Sequence, residues 1–460
     1  MNQNTNQYMA EESIGKLMLR FSIPCIMSLL VSALYNIVDQ IFIGRGIGFL
    51  GNGATNVVFP VTVIALSLSL LVGDGCAAYL SICQGRRDGE HAHRSVGNAV
   101  VFITASGIVL TLLYAFFRDS ILWGFGATEN NIGYAREYFL YLIPGIPFFM
   151  FANAMNSVIR ADGSPQFAMF STLIGCALNV VLDPVAIFVL GWGMKGAALA
   201  TITGQIVSAL LAVYYLFRPK SFRLKRVSFK PDAEILKHVL PLGISSFLTQ
   251  VSIVVIMAVM NNVLVIYGAG SKYGADIPMT VVGIAAGAQP IVGYNYGAGL
   301  WRRVKLIFRT MMAAEFSVGL VSLICFEVFP VQIISVFGSE DGLYNEFAVL
   351  AFRVFLGGIV LCCIQKSCSI FLQSMGKPAL SMLLSLLRDF VLSVPLTLVL
   401  PRFFGVTGAL YSGPAADVIS FGAAVLCMAA VFRKLNRLED GEVALSGASQ
   451  GGLAVERKIC

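Results

Sequence analysis

A chain of 460 residues that is 57% hydrophobic and only 12% charged cannot cover a soluble surface, since water-facing globular chains carry roughly a quarter charged residues. Its net charge of +7 sits in short stretches between long apolar runs, with no basic stripe interleaved with aromatics, which excludes a nucleic-acid surface. Apolar runs of roughly 20–28 residues mark helices that cross a bilayer, not the roughly ten-residue alternating strands of a membrane barrel.

The polar segment 1–16 lacks a signal-peptide pattern, and the apolar run from Leu17 is too long for one, so it is expected to be a retained span. Spans are predicted over 17–43, 54–83, 95–117, 134–157, 166–191 and 196–217, forming a first lobe of residues 17–217. The stretch 218–230 holds six Lys or Arg and no acid, and 218–235 reads as a basic linker. A second lobe over 236–432 is predicted as spans at 236–267, 277–296, 304–329, 346–373, 379–400 and 406–432, with 433–460 as a tail. The expected fold is therefore an all-α integral membrane protein of about twelve helices in two pseudo-symmetric six-helix lobes.

Basic residues favour alternate connections. Arg86, Arg87, Arg94, Arg160, the linker, Arg302, Arg303, Lys305, Arg309, Lys377 and Arg433 fall on one side, against little more than Arg45, Arg118, Lys195, Lys272 and Arg402 on the other. This asymmetry is expected to put both termini and the linker in the cytoplasm of a multi-pass plasma (inner) membrane protein.

The halves are also related in sequence. Gly85 and Gly297 lie 212 residues apart, Gly196 and Gly408 again 212, and Gly163 and Gly376 213, in matching loop contexts on matching sides. A parallel duplicate of this kind is a transporter architecture. The eighth span, 277–296, breaks the symmetry: it is short, carries two prolines, and is expected to cross as an irregular or partly unwound segment.

Ionisable groups inside a span are expensive and hence functional candidates. The first lobe offers Asp39, Asp74 and Asp183; Asp74 in VGDG alternatively lines a glycine-rich helix contact. Asn179 and Asp183 are four apart, on one helical face, and Pro184 frees a carbonyl one turn earlier. These are the ingredients of a proton or Na⁺ site, with Na⁺ held by Asp39, Asn179 and Asp183. In the second lobe Leu396 stands where the repeat would place a carboxylate. Arg388 and Asp389, adjacent in sequence, are not expected to face one another, and Lys366 is expected to reach toward the cytoplasmic face. Ten cysteines scattered through apolar runs, with no C-x-x-C pair, read as small buried hydrophobes.

The elements LYNIVDQIFIG, IRADGSPQ, LNVVLDPVAIF and GMKGAALATITGQ together resemble the prokaryotic multidrug and toxic compound extrusion (MATE) transporters over nearly the whole chain. The resemblance implies an ion site at Asp39, Asn156, Asn179, Asp183 and Thr201. It also implies a secondary antiporter that exports cationic or amphipathic organic compounds, driven by inward H⁺ or Na⁺. Tyr35, Asn36, Asn153 and Gln205 are candidates for the substrate cavity. The expected partners are a small organic substrate, the coupling ion and membrane lipid, with a monomeric chain and no cofactor. A lipid-linked oligosaccharide or lipid II flippase is the nearest alternative, disfavoured because no Lys or Arg lies well inside a first-lobe span. A membrane-embedded transferase is less favoured, since the three histidines sit near loops and no D-D-x-x-D run occurs. No phosphate-binding loop supports a primary pump.

Overall fold

The computed structural model describes residues 14–86, 88–269, 271, 319–321, 323–337, 342–374 and 378–456, with Met312 and Phe316 alone between, and every regular element among them is a helix. The first lobe runs α1 (Ile14–Gly46), α2 (Phe49–Gly85), α3 (Gly89–Phe116), the short α4 (Arg118–Gly124), α5 (Ile132–Ala161), α6 (Pro165–Val189) and α7 (Gly193–Leu216). The second begins with α8 (Ala233–Ala269) and resumes at α9 (Pro330–Phe337), α10 (Gly342–Phe355) and α11 (Ile359–Ser374). It ends with α12 (Pro378–Leu386), a π-helical turn (Leu387–Ser393), α13 (Val394–Phe404) and α14 (Val406–Glu456). The predicted eighth span at 277–296, most of the ninth at 304–329, and Arg302, Arg303, Lys305, Arg309 and Lys377 lie outside the described residues.

Among the described residues eight helices are long and apolar enough to cross a membrane. The pair α10 and α11, bent by 44° at their junction, makes a ninth. Together with α1, this is a polytopic all-α membrane protein. The break expected at 44–53 shrinks to two residues, 47 and 48, because Gly51 packs against Ile43 and Ile47 and the helix continues through the glycines. At the other end α14 continues through the predicted tail as far as Glu456, no proline following Pro414 to stop it.

Backbone detail repeats between the lobes. Gly193 and Gly405 both have positive φ, +55° and +62°, and are 212 residues apart. The short helices α4 and α9, unanticipated from hydropathy, also begin 212 residues apart, at Arg118 and Pro330. One apolar cluster fills the first lobe and takes in Ile235 and Val239 from the start of α8, and two others draw their buried residues from Met260 to Val431.

The halves meet where α2 crosses α8. A Cβ on Gly75 would strike the Val239 carbonyl, and one on Gly243 the Leu71 carbonyl, so the two backbones touch. Small residues allow this approach, which is how helices gain contact where lipid supplies no hydrophobic drive. At the opposite end of α8, Asn261 and Asn262 donate to the carbonyls of Phe125 (3.3 Å) and Gly124 (2.9 Å).

The basic linker is tied to the first lobe. Asp162, fully buried, accepts from the Tyr215 hydroxyl (2.7 Å) and from the backbone N–H groups of Lys220 (2.7 Å) and Ser221 (2.9 Å). Farther along, Asn98 donates to the Lys230 carbonyl (3.2 Å) and accepts from the Asp232 N–H (2.7 Å). In the loop before α3, Asp88 caps the helix by accepting from the His91 N–H, which holds its carboxyl below the usual carboxylate range.

Candidate ion-coupling site

Three helices of the first lobe bring polar groups to one buried point. On α1, Tyr35 and Asp39 are four residues apart and share a face. On α6, Asn179 and Asp183 stand in the same relation, and Thr201 comes from α7. All but Tyr35 are buried: Asp39 is 6% exposed and Asp183 is completely enclosed.

The local backbone of α6 is shaped by Pro184. Having no N–H, it cannot bond the carbonyl of Val180, and the chain beyond it relaxes into a π-helical turn, Val185–Val189. There the Leu190 N–H reaches back five residues to Val185 (2.9 Å). Asp183 thus sits on the last regular turn before a widened one.

The carboxyl groups of Asp39 and Asp183 lie within hydrogen-bond reach of each other. Asn179, with its amide oriented to suit its neighbours, donates to Asp183 Oδ2 at 3.1 Å and accepts from the Thr201 hydroxyl and N–H at 3.2 Å. The Tyr138 hydroxyl of α5 reaches Thr201 in turn. One oxygen of Asp39, Oδ1, is buried without a hydrogen-bond partner. Two neighbouring carboxylates out of water repel when both are charged, unless something positive joins them. The arrangement is therefore suited to holding one proton or one small cation.

Of the five residues expected at this site, Asp39, Asn179, Asp183 and Thr201 are brought together. Asn156 lies elsewhere: its amide donates to Thr172 Oγ1 (3.3 Å), seven residues and about two turns before Asn179, and its Oδ1 is buried and unpartnered. Tyr35 is close to both carboxylates. Asn36 and Asn153 spend their amide N–H groups on their own helices, at Ser32 (2.6 Å) and Phe149 (2.9 Å). Gln205 Oε1 is buried and unpartnered near Gly145. Tyr138 was not anticipated, for its spacing marks it only as one more aromatic on an apolar helix.

For a metal, no group of three His, Cys, Asp or Glu comes together among the described residues. A Na⁺ would rely on Asp39 and Asp183 with hydroxyl and amide oxygens. Asn179 presents its N–H, not its oxygen, to Asp183, so it would have to rotate to serve as a ligand.

The second lobe departs from expectation. Arg388, buried, donates through Nη1 to Asp389 (2.7 Å) and through Nε to Asp417 (2.8 Å). Adjacent residues do not face one another on a regular α-helix, but Leu387–Ser393 is π-helical and the long arginine folds back along it. Lys366 lines a small cavity with Asp417 and Cys362. The carboxylates here already have a permanent cation.

The chain matches the MatE family over residues 24–185 and 241–399. It is 25% identical to the multidrug export protein MepA of Staphylococcus aureus over 91% of this chain and 94% of that one. Among solved structures, the fold is similar to an inward-facing multidrug resistance MATE transporter of the MOP superfamily (TM-score 0.77, 24% identity, 91% and 99% coverage). The MATE multidrug transporter DinF-BH is 32% identical with TM-score 0.72, over 91% of this chain and 96% of that one.

Proposed function

The chain belongs to the MatE family of membrane transporters, and we propose that it is a secondary antiporter that exports organic, chiefly cationic, compounds in exchange for an inward-moving H⁺ or Na⁺. The observation that carries the reading is the contact between Asp39 and Asp183. With the site empty, two buried charges repel across it. An ion entering from outside relieves that repulsion and draws α1 against α6. Emptying it toward the cytoplasm restores the repulsion. A helix that shifts with ion occupancy is a two-state element, able to link ion entry to release of a substrate on the outer face. The names of MepA and of the multidrug MATE transporters support an organic export substrate, and the excess of basic residues on one set of loops supports cytoplasmic termini.

Asn156 and the cavity candidates Tyr35, Asn36, Asn153 and Gln205 are proposed to line the path near the ion site. The orientation of Asn179, an N–H donor to Asp183, favours a proton over Na⁺. The test is efflux of ethidium from proteoliposomes under separately imposed proton and sodium gradients. Dye movement driven by the proton gradient alone is expected. Movement driven by neither gradient overturns antiport.

A further inference from the structure

A second intramembrane carboxylate, Asp74, has no part in the ion site. It sits on α2 between Gly73 and Gly75, where α2 packs backbone to backbone against both α5 and α8. Its two oxygens are held by different lobes: Oδ1 accepts from the Ser157 hydroxyl of α5 (2.7 Å), and Oδ2 from the Ser246 hydroxyl of α8 (2.8 Å). Arg160 Nη2 donates to Ser157 Oγ (2.8 Å), so the guanidinium reaches the serine and not the carboxylate. Asp74 also opens onto a broad, open groove of about 340 Å³ whose other walls are three alanines, Ser81, Ser157 and Arg160. That volume is within the range that holds drug-sized molecules. The α2 end nearest this groove is the one that leads to Arg86 and the basic loop, the side read as cytoplasmic.

Two neutral hydroxyls compensate a carboxylate less well than a positive charge does. An organic cation beside Asp74 is therefore a stronger partner for its Oδ2 than the Ser246 hydroxyl, which is one tie between the lobes beside the backbone contacts of α2 and α8.

We propose that Asp74 is the cytoplasmic docking group for the cationic moiety of the exported compound, and that the compound competes with the Ser246 hydroxyl for it, loosening one tie between the lobes. This rests on the export reading above, but its test does not need transport. Ethidium binding to purified protein in nanodiscs is measured by fluorescence anisotropy, with neutral chloramphenicol in equilibrium dialysis as the uncharged probe. Asp74→Asn is expected to weaken ethidium binding by about tenfold and to leave chloramphenicol unchanged. Ser246→Ala, which removes the competing hydroxyl, is expected to tighten ethidium binding by roughly threefold, and to do nothing in the Asp74→Asn background. The proposal is overturned if both probes shift alike, if Ser246→Ala acts without Asp74, or if the wild type fails to bind ethidium. Binding that follows this pattern with no gradient-driven efflux upholds the docking site and overturns antiport alone.

Discussion

Asp39 and Asp183, separated by 144 residues, meet carboxyl to carboxyl between α1 and α6, and the ion that reconciles them is the proposed coupling ion. Because they form one site, Asp39→Asn and Asp183→Asn are each expected to lower gradient-driven ethidium efflux by about tenfold or more, ~1.4 kcal/mol. The double variant is expected to be no worse than either single one, because the second removal acts on a site already lost. Efflux rates in proteoliposomes at matched protein density decide this; additive losses would place the two residues in separate sites.

Thr201 and Asn179 are proposed to orient the pair around the ion. Thr201→Val keeps the shape and deletes the hydroxyl that Asn179 accepts from, at a cost of about 1 kcal/mol. The expected result is a roughly fivefold weaker apparent affinity for the coupling ion with little change in maximal rate. A titration of efflux against external pH or Na⁺ reads it. A fall in maximal rate at unchanged affinity would assign Thr201 to another step.

Much of this was legible before any coordinates. Spans announce themselves because lipid demands uninterrupted apolar helices, and Asp39 and Asp183 stand out because charge is so costly there. N-x-x-x-D-P placed Asn179 and Asp183 on one face by helical spacing alone. What stayed hidden depended on distant chain segments meeting: Tyr138 at Thr201, Ser246 at Asp74, Asp417 at Arg388. Helical spacing also gives no sign of the Arg388–Asp389 pair, because a long arginine side chain can fold back onto its own neighbour. The break between α1 and α2 is narrower than hydropathy implies, as glycines weaken a helix in isolation but are retained where packing needs them.

In the second lobe the Arg388, Asp389 and Asp417 cluster is expected to be structural. Arg388→Met leaves two buried carboxylates without their cation, a loss of about 3–5 kcal/mol. Replacing all three with Met, Asn and Asn is expected to recover most of that loss, because no buried charge is then left alone. Thermal unfolding in detergent compares the variants. If the triple variant retains stability but loses efflux, the cluster is part of the transport path as well.

The crossing of α2 and α8 gives the sharpest steric test, because it compares the same substitution at two glycines. At Gly243 a methyl group would collide with the Leu71 carbonyl, and neither backbone can yield without disturbing Asp74 and Ser246 beside it. Gly243→Ala is therefore expected to cost about 1–3 kcal/mol. Gly422 in α14 has open space where its Cβ would be, and Gly422→Ala is expected to be neutral or to stabilise by up to about 1 kcal/mol through restricted backbone freedom. Melting temperatures measured side by side in detergent carry the comparison. Equal shifts at the two sites would mean that the helices do not meet at Gly243. A selective loss there, accompanied by faster ethidium binding, would show that the crossing also governs access to the Asp74 groove.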